Sequence, residues 1–346
     1  MARRPRIHEF RLIEQLRRDF GRTGSGVVRG IGDDAAVIAP PRNRQLVLTT
    51  DLLVEGVHFD LQTASLKEIG YKAAIANLSD IAAMGARPEY ALVSIALPAA
   101  WTATNVMRLY AGIMEACRPY RVALIGGDTS SSPHGLFLSL TVTGSVPAGA
   151  ALMRIGARVG DLLYVSGTLG DSLAGLALLS RTGRRDAARP LPSSHRRFLI
   201  NRHRRPVAHP RLGQVLSSDR LASAAIDLSD GLSGDLHHLC EQSRVGAEII
   251  ASALPISPAL RAYARTSRSD AVTLALQGGE DYELLFTVPP AKQRALQRVA
   301  RRTGRRLTCI GVIRSKQFGV LVRDERGRLR RLPVTSYTHF QGAAPE

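Results

Sequence analysis

Aspartates are the residues of this sequence whose types and spacing could do chemistry. Three apolar, strand-like runs each lead into a carboxylate: QLVLTT into Asp51, RVALIGG into Asp128, and SAAI into Asp227-Leu-Ser-Asp230. A fourth group, G-I-G-Asp33-Asp34, precedes the short apolar run AAVI. One Asp at a strand end is commonly a turn former. Recurrence in several segments, with glycine beside most of them, points instead to a shared acidic site, because sheet proteins build their sites on the loops beyond strand ends. Asp80 joins the set. It shares one helical face with Ile69, Ala73, Ala76, Asn77 and Met84 by i, i+3, i+4 spacing. A carboxylate on so small and apolar a face must be paired, hydrogen-bonded or bound to a metal; capping of a neighbouring loop is the plainer alternative.

If Asp34, Asp51, Asp80, Asp128, Asp227 and Asp230 converge, they need compensating cations. Arginine could serve. An oxygen-only set also suits Mg²⁺, which binds through a few carboxylates plus substrate phosphates, and no neighbouring His or Cys argues for zinc. The expected chemistry is metal-assisted handling of phosphate. Common nucleotide sites are excluded: none of the four lysines follows a glycine, so there is no Walker A loop, and no protein-kinase or G-x-G-x-x-G fingerprint occurs. His237, His238 and Cys240 are poorly spaced for a ligand set. G-T-L-G-D-S after DLLYVSG reads equally as an anion-binding helix start or as a tight strand-to-helix turn.

Apolar runs alternate with helical periods, which predicts a mixed α/β protein. Strands are expected at QLVLTT, ALVSIALP, VALIGG, LFLSLTVTGSV, DLLYVSG, AAIDLS, YELLFTV and LTCIGVI. A helix opens at Ser65, where S-L-K-E forms a capping box with Glu68, and stops at Gly85 before Pro88. Further helices are expected at NVMRLYAGIMEAC, DSLAGLALLS, GLSGDLHHLCEQ and AKQRALQRVARR, and GRRDAARPLPSS reads as a loop. A Gly/Ala/Pro-rich link divides the chain near residue 150, giving domains 1–150 and 151–346.

The 346 residues are 45% hydrophobic, enough for two cores and too much for wholesale disorder. No apolar run is long enough for a membrane span, no secretory signal opens the chain, and three scattered cysteines fit a reducing cytoplasm. The net charge of +18 is uneven: residues 1–150 hold 16 basic and 13 acidic residues, residues 151–346 hold 31 and 16. An Arg-rich solvated surface is the expected meaning, since no aromatic interleaving or zinc-finger spacing accompanies it.

Six motifs in order carry a resemblance: G-I-G-D-D-A-A-V-I, T-T-D-L-L-V-E-G-V-H-F, Y-K-A-A-I-A-N-L-S-D-I-A-A-M-G-A-R-P, I-G-G-D-T, I-D-L-S-D-G-L and G-G-E-D-Y-E-L. Together they resemble the thiamine-monophosphate kinase family of the aminoimidazole ribonucleotide synthetase superfamily, over nearly the whole chain. The resemblance implies ATP-dependent phosphorylation of thiamine monophosphate to thiamine diphosphate with several Mg²⁺ ions. It implies an N-terminal α/β domain whose sheet builds a barrel-like core in a homodimer, and a C-terminal α/β domain. By position, Asp34, Thr49, Thr50, Asp51, Asp80, Asp128, Asp227 and Asp230 correspond to the metal set, and Tyr110, Gly127, Asp128, Arg154 and Ser229 to ATP contacts. His58, Glu280 and Phe340 correspond to contacts with the thiamine phosphate. The catalytic weight is expected on Asp51, Asp80, Asp128 and Asp227. Competing readings are another ATP-dependent enzyme of that superfamily and a basic nucleic-acid-binding protein on a degenerate scaffold. The chain's end, Q-G-A-A-P-E, lacks the terminal Cys of a hydrogenase-maturation protein.

Overall fold

The computed structural model describes residues 9–21, 26–31, 35–180 and 191–337. They divide into two compact units, Met1–Ala151 with Pro210–Gln214, and Leu152–His209 with Val215–Glu346.

The first unit contains α1 (Glu9–Asp19), the short pair β1 (Val27–Arg29) and β2 (Val37–Ile38), β3 (Arg44–Val54), α2 (Leu66–Ala83), β4 (Arg87–Pro98), α3 (Ala103–Cys117), β5 (Ala123–Ser132) and β6 (Phe137–Pro147). Its main sheet runs β3-β6-β4-β5, with only the β4–β5 pair parallel. It is an open sheet, and no closed barrel is seen among the described residues. Alternation sets its two faces. Along β6, Leu138, Leu140 and Val142 are fully buried while Ser139, Thr141 and Thr143 are partly open. Along β3, Leu46, Leu48 and Leu52 are exposed and Leu53 is buried.

Helix α2 starts as its sequence requires. Ser65 accepts the Glu68 N–H, and the Glu68 carboxylate returns to the Ser65 N–H. Its packing differs from the expected single apolar face. Small residues let the helix be enclosed on nearly every side, and Ala76, Asp80 and Met84 form its more open line. Helix α3 lies backbone to backbone against it: a Cβ on Gly70 would strike the Leu109 carbonyl, and one on Gly112 the Lys67 carbonyl.

The second unit contains β7 (Leu162–Ser166), α4 (Asp171–Leu179), α5 (Ser193–Arg204), part of α6 (Pro210–Ser218), β8 (Ala224–Asp227), α7 (Leu232–Ser243), β9 (Val245–Ile250), α8 (Pro258–Ser267), α9 (Ala271–Gln277), β10 (Leu284–Val288), α10 (Gln293–Thr303), β11 (Leu307–Ser315), β12 (Val320–Arg323) and β13 (Leu329–Arg331). The sheet order is β13-β12-β9-β11-β7-β10-β8, antiparallel except for the β12–β9 pair. Leu163, Val165, Ile226, Leu285, Ile249 and Ile310 centre one continuous core under the helices.

Two strand expectations need correction. Asp51 and Asp128 do not end their strands. Strand β3 continues through Leu52-Leu53-Val54, paired with β6 along its whole length, and β5 continues through Thr129–Ser132 beside β4. Only Asp227 closes its strand. Strand β10 begins at Leu284 rather than Tyr282, because Glu280 and Tyr282 both take left-handed φ. Part of the expected loop at 183–194 lies outside the described residues, and its end, Ser193–Ser194, opens α5.

Candidate active site

In the first unit the acidic site forms between β3 and α2. Alternation turns Thr49 and Asp51 to the helix side, and Thr49 Oγ1 donates to Asp80 Oδ2 at 2.5 Å. Asp51 Oδ2 is buried with no hydrogen-bond partner. Burial, and then the Asp80 charge, push the Asp51 carboxyl up to about 7. Two carboxylates and a hydroxyl thus meet where one buried oxygen lacks a donor. Thr50 points the other way, and its hydroxyl donates to the Leu140 carbonyl at 3.1 Å.

Among the described residues, Asp128 stands apart from that pair. Register places Asp51 in the row Leu140, Val93, Gly127, and Asp128 in the adjoining row Ser94, Ser139, Leu52, so the two aspartates occupy opposite edges of the sheet. Gly127 has φ 155°, and a Cβ there would fall on the Val93 carbonyl, so glycine is required beside Asp128. Behind β3, His58 Nδ1 accepts the Val54 N–H at 3.1 Å, so a neutral ring carries its proton on Nε2. Tyr110 is in the core, its ring 6.0 Å from that of Phe20, and burial pushes its phenol up. Asp34 and Phe340 lie outside the described residues.

In the second unit two loops are zipped together. Asp227 is buried and in register with Leu284. Tyr282 N–H donates to the Leu228 carbonyl at 2.9 Å, Leu228 N–H to the Glu283 carbonyl at 2.8 Å, and Glu280 N–H to the Ser229 carbonyl at 2.7 Å. Asp227, Ser229, Asp230 and Glu280 are thereby brought to one end of the β8–β10 pair. Arg154 holds its backbone by accepting the Ser243 hydroxyl at 2.7 Å.

Sequence reasoning missed Asp235. This buried carboxylate accepts the Gly231 N–H at 3.1 Å. Burial and the Asp230 charge push it up to about 7, with the Arg154 charge acting in the opposite sense. The signal was present as an acidic residue in the first turn of α7, five positions after Asp230, a favourable end of a helix for negative charge.

Among the described residues, no three His, Cys, Asp or Glu side chains form a ready metal cage. The donors present still fit a hard cation. They are all oxygen, they occur as like-charged pairs (Asp51 with Asp80, Asp230 with Asp235), and one buried oxygen is unpartnered.

Known proteins define the class. The model for the AIR synthase related protein N-terminal domain matches residues 32–146, and that for the C-terminal domain matches residues 158–323. The thiamine-monophosphate kinase of Haemophilus influenzae is 40% identical over 313 residues, 89% of this chain and 90% of that protein. The crystal structure of thiamine-monophosphate kinase from Stenotrophomonas maltophilia superimposes with a TM-score of 0.79 at 40% identity, covering 92% of this chain and 97% of that one. A structure of AaThiL complexed with AMPPCP and TMP does so with a TM-score of 0.75 at 33% identity, covering 98% and 100%. The chain belongs to the thiamine-monophosphate kinase family of AIR synthase related proteins.

Proposed function

We propose that this protein is an ATP-dependent kinase that phosphorylates thiamine monophosphate to thiamine diphosphate. The observation that carries the reading is the Thr49–Asp51–Asp80 group, with its unpartnered buried oxygen, in a chain 33% identical over 98% of its length to a protein complexed with AMPPCP and TMP.

The acceptor is a phosphate monoester with a second pKa near 6, largely dianionic at neutral pH, so it needs no strong general base. The obstacle is bringing two polyanions together, and positioning with charge neutralisation overcomes it. Within the first unit Asp34, Thr49, Asp51 and Asp80 would hold Mg²⁺, and within the second Asp227 and Asp230 would do so. The bound ions would supply the compensating charge. Asp128 would contribute to the metal set and, with Gly127, to the nucleotide contacts, while Ser229 and Arg154 would also hold ATP, Arg154 as a charged phosphate donor. His58, through Nε2–H, and Glu280 and Phe340 would hold the acceptor. Transfer is direct, with no phosphoenzyme.

The working form is a cytoplasmic homodimer. Exposed Leu46, Leu48 and Leu52 on the open face of β3 support burial against a second copy, where two such sheets would build a barrel-like core. Three free cysteines, Cys117 and Cys240 of them buried, support a reducing compartment.

The test is an endpoint assay with ATP, Mg²⁺ and thiamine monophosphate, beside free thiamine and a metal-free control. Thiamine diphosphate is expected from the monophosphate alone, and only with Mg²⁺. A folded sample that binds ATP and forms no product would move the acceptor to another substrate of the superfamily.

A further inference from the structure

The segment Gly278-Gly279-Glu280-Asp281-Tyr282 has a demanding backbone. Glu280 and Tyr282 hold φ of 60° and 53°, a region that non-glycine residues occupy only where their surroundings compel it. The alternate residues supply the compulsion. Asp281, fully enclosed, accepts the N–H of Gly170 at 2.5 Å and of Ser172 at 3.1 Å, at the start of α4. Glu283, equally enclosed, accepts the Ser166 hydroxyl at 2.5 Å and Arg202 Nη2–H at 2.9 Å, and its Oε2 lies 2.6 Å from His209 Nε2. Arg202 Nη2 also reaches the Asp281 carbonyl at 3.4 Å.

The next residue of α5 acts on Glu280 itself. His203 Nδ1 stands 3.3 Å from Glu280 Oε2 and 3.2 Å from Ser172 Oγ. The His203 side chain is 11% exposed and that of Glu280 is 29% exposed. Glu280 is therefore the outermost carboxylate of a cluster whose other members are enclosed. A carboxylate serving stability alone gains nothing from being held at the rim in a strained backbone. One serving a ligand gains a fixed direction.

We propose that Arg202 and His203 of α5, with Ser172, are positioning residues that aim the Glu280 carboxylate at the acceptor. Arg202 holds the left-handed segment through Glu283 and the Asp281 carbonyl, and His203 with Ser172 sets the direction of the carboxylate. The group recognised is cationic, as the thiazolium ring of the acceptor is. The inference rests on the reading of Glu280 as an acceptor contact.

Steady-state kinetics on the full-length enzyme separate the two. His203→Ala should raise KM for thiamine monophosphate roughly 10-fold, the value of one lost close polar contact to a carboxylate, while KM for ATP and kcat stay within about twofold. His203→Asn, which keeps a donor near the place of Nδ1, should recover most of the loss. On a Glu280→Gln background, His203→Ala should add nothing further. If Glu280→Gln leaves the acceptor KM unchanged, the reading of Glu280 fails. If Glu280→Gln raises it while His203→Ala does not, or adds independently, the positioning role is overturned. Should His203→Ala not fold, Ser172→Ala removes the second partner of the imidazole and must raise the acceptor KM a fewfold; an unchanged value overturns the proposal.

Discussion

Asp51 offers the sharpest test, because its two roles pull stability and activity in opposite directions. Its carboxyl is held at about 7, against 3.8 in an unperturbed chain, by burial and by Asp80. The folded protein therefore keeps a proton that the unfolded chain has released. Without metal, stability contributed here is present below about pH 4 and is lost as pH rises to about 7, with no further change above. At 1.36 kcal/mol per pH unit, the gap of about 3 units sets a ceiling near 4 kcal/mol. Asp51 is partly open to water, which lowers the expected figure to about 2 kcal/mol. Asp51→Asn removes the charge and keeps the shape. The chelated variant should be about 2 kcal/mol more stable than the parent at pH 8 and indistinguishable from it only near pH 3, below the unfolded-chain value of 3.8, read by guanidinium unfolding in EDTA. The same variant should lose kcat by roughly 10²-fold or more with Mg²⁺ and ATP, because the buried oxygen no longer carries charge to a cation. A stability difference that does not change with pH would refute the electrostatic account of this site, and near-normal turnover would refute the metal assignment.

Three other perturbations probe separate parts of the molecule. Gly112→Ala drives a Cβ onto the Lys67 carbonyl, so α2 and α3 must part; thermal unfolding should show a loss of about 1–3 kcal/mol, and an unchanged midpoint would contradict the close crossing. In Glu283, burial alone would raise the pKa, but His209, Arg202 and Ser166 overcome it and hold the group at about 2. Glu283→Gln leaves the Arg202 charge buried without its partner and should cost about 3–5 kcal/mol at neutral pH, a difference that shrinks as pH falls from about 4.5 toward 2; equal stability at neutral pH would show that the cluster is not held by charge. Leu48→Glu on the open face of β3 should convert a dimer to monomers in sedimentation, and an unaltered dimer would place the interface elsewhere.

Much of the local architecture was legible in the sequence. The capping box at Ser65, the stop at Gly85 and the alternation along FLSLTVTGSV depend on neighbours within a few residues, and each element forms where those patterns lie. The ends of β3, β5 and β10 were not legible. A strand ends where its partner stops pairing or where backbone strain begins, and the partners of β3 lie on β6, about ninety residues further along the chain. Asp235 escaped notice because one acidic residue in a first helical turn is ordinary until its burial beside Asp230 is known.

The sequence by itself determined which oxygen groups exist, from aspartate and threonine in six ordered motifs, with Gly127 beside Asp128. Tertiary structure alone decided which of them meet. Thr49 and Thr50 are adjacent and chemically identical, yet the pleat turns one to Asp80 and the other to the Leu140 carbonyl. Arg202 and Glu283 are 81 residues apart and share no sequence signature. Side-chain chemistry is local to a residue, whereas the burial and neighbouring charges that tune it belong to whatever the rest of the chain packs against it.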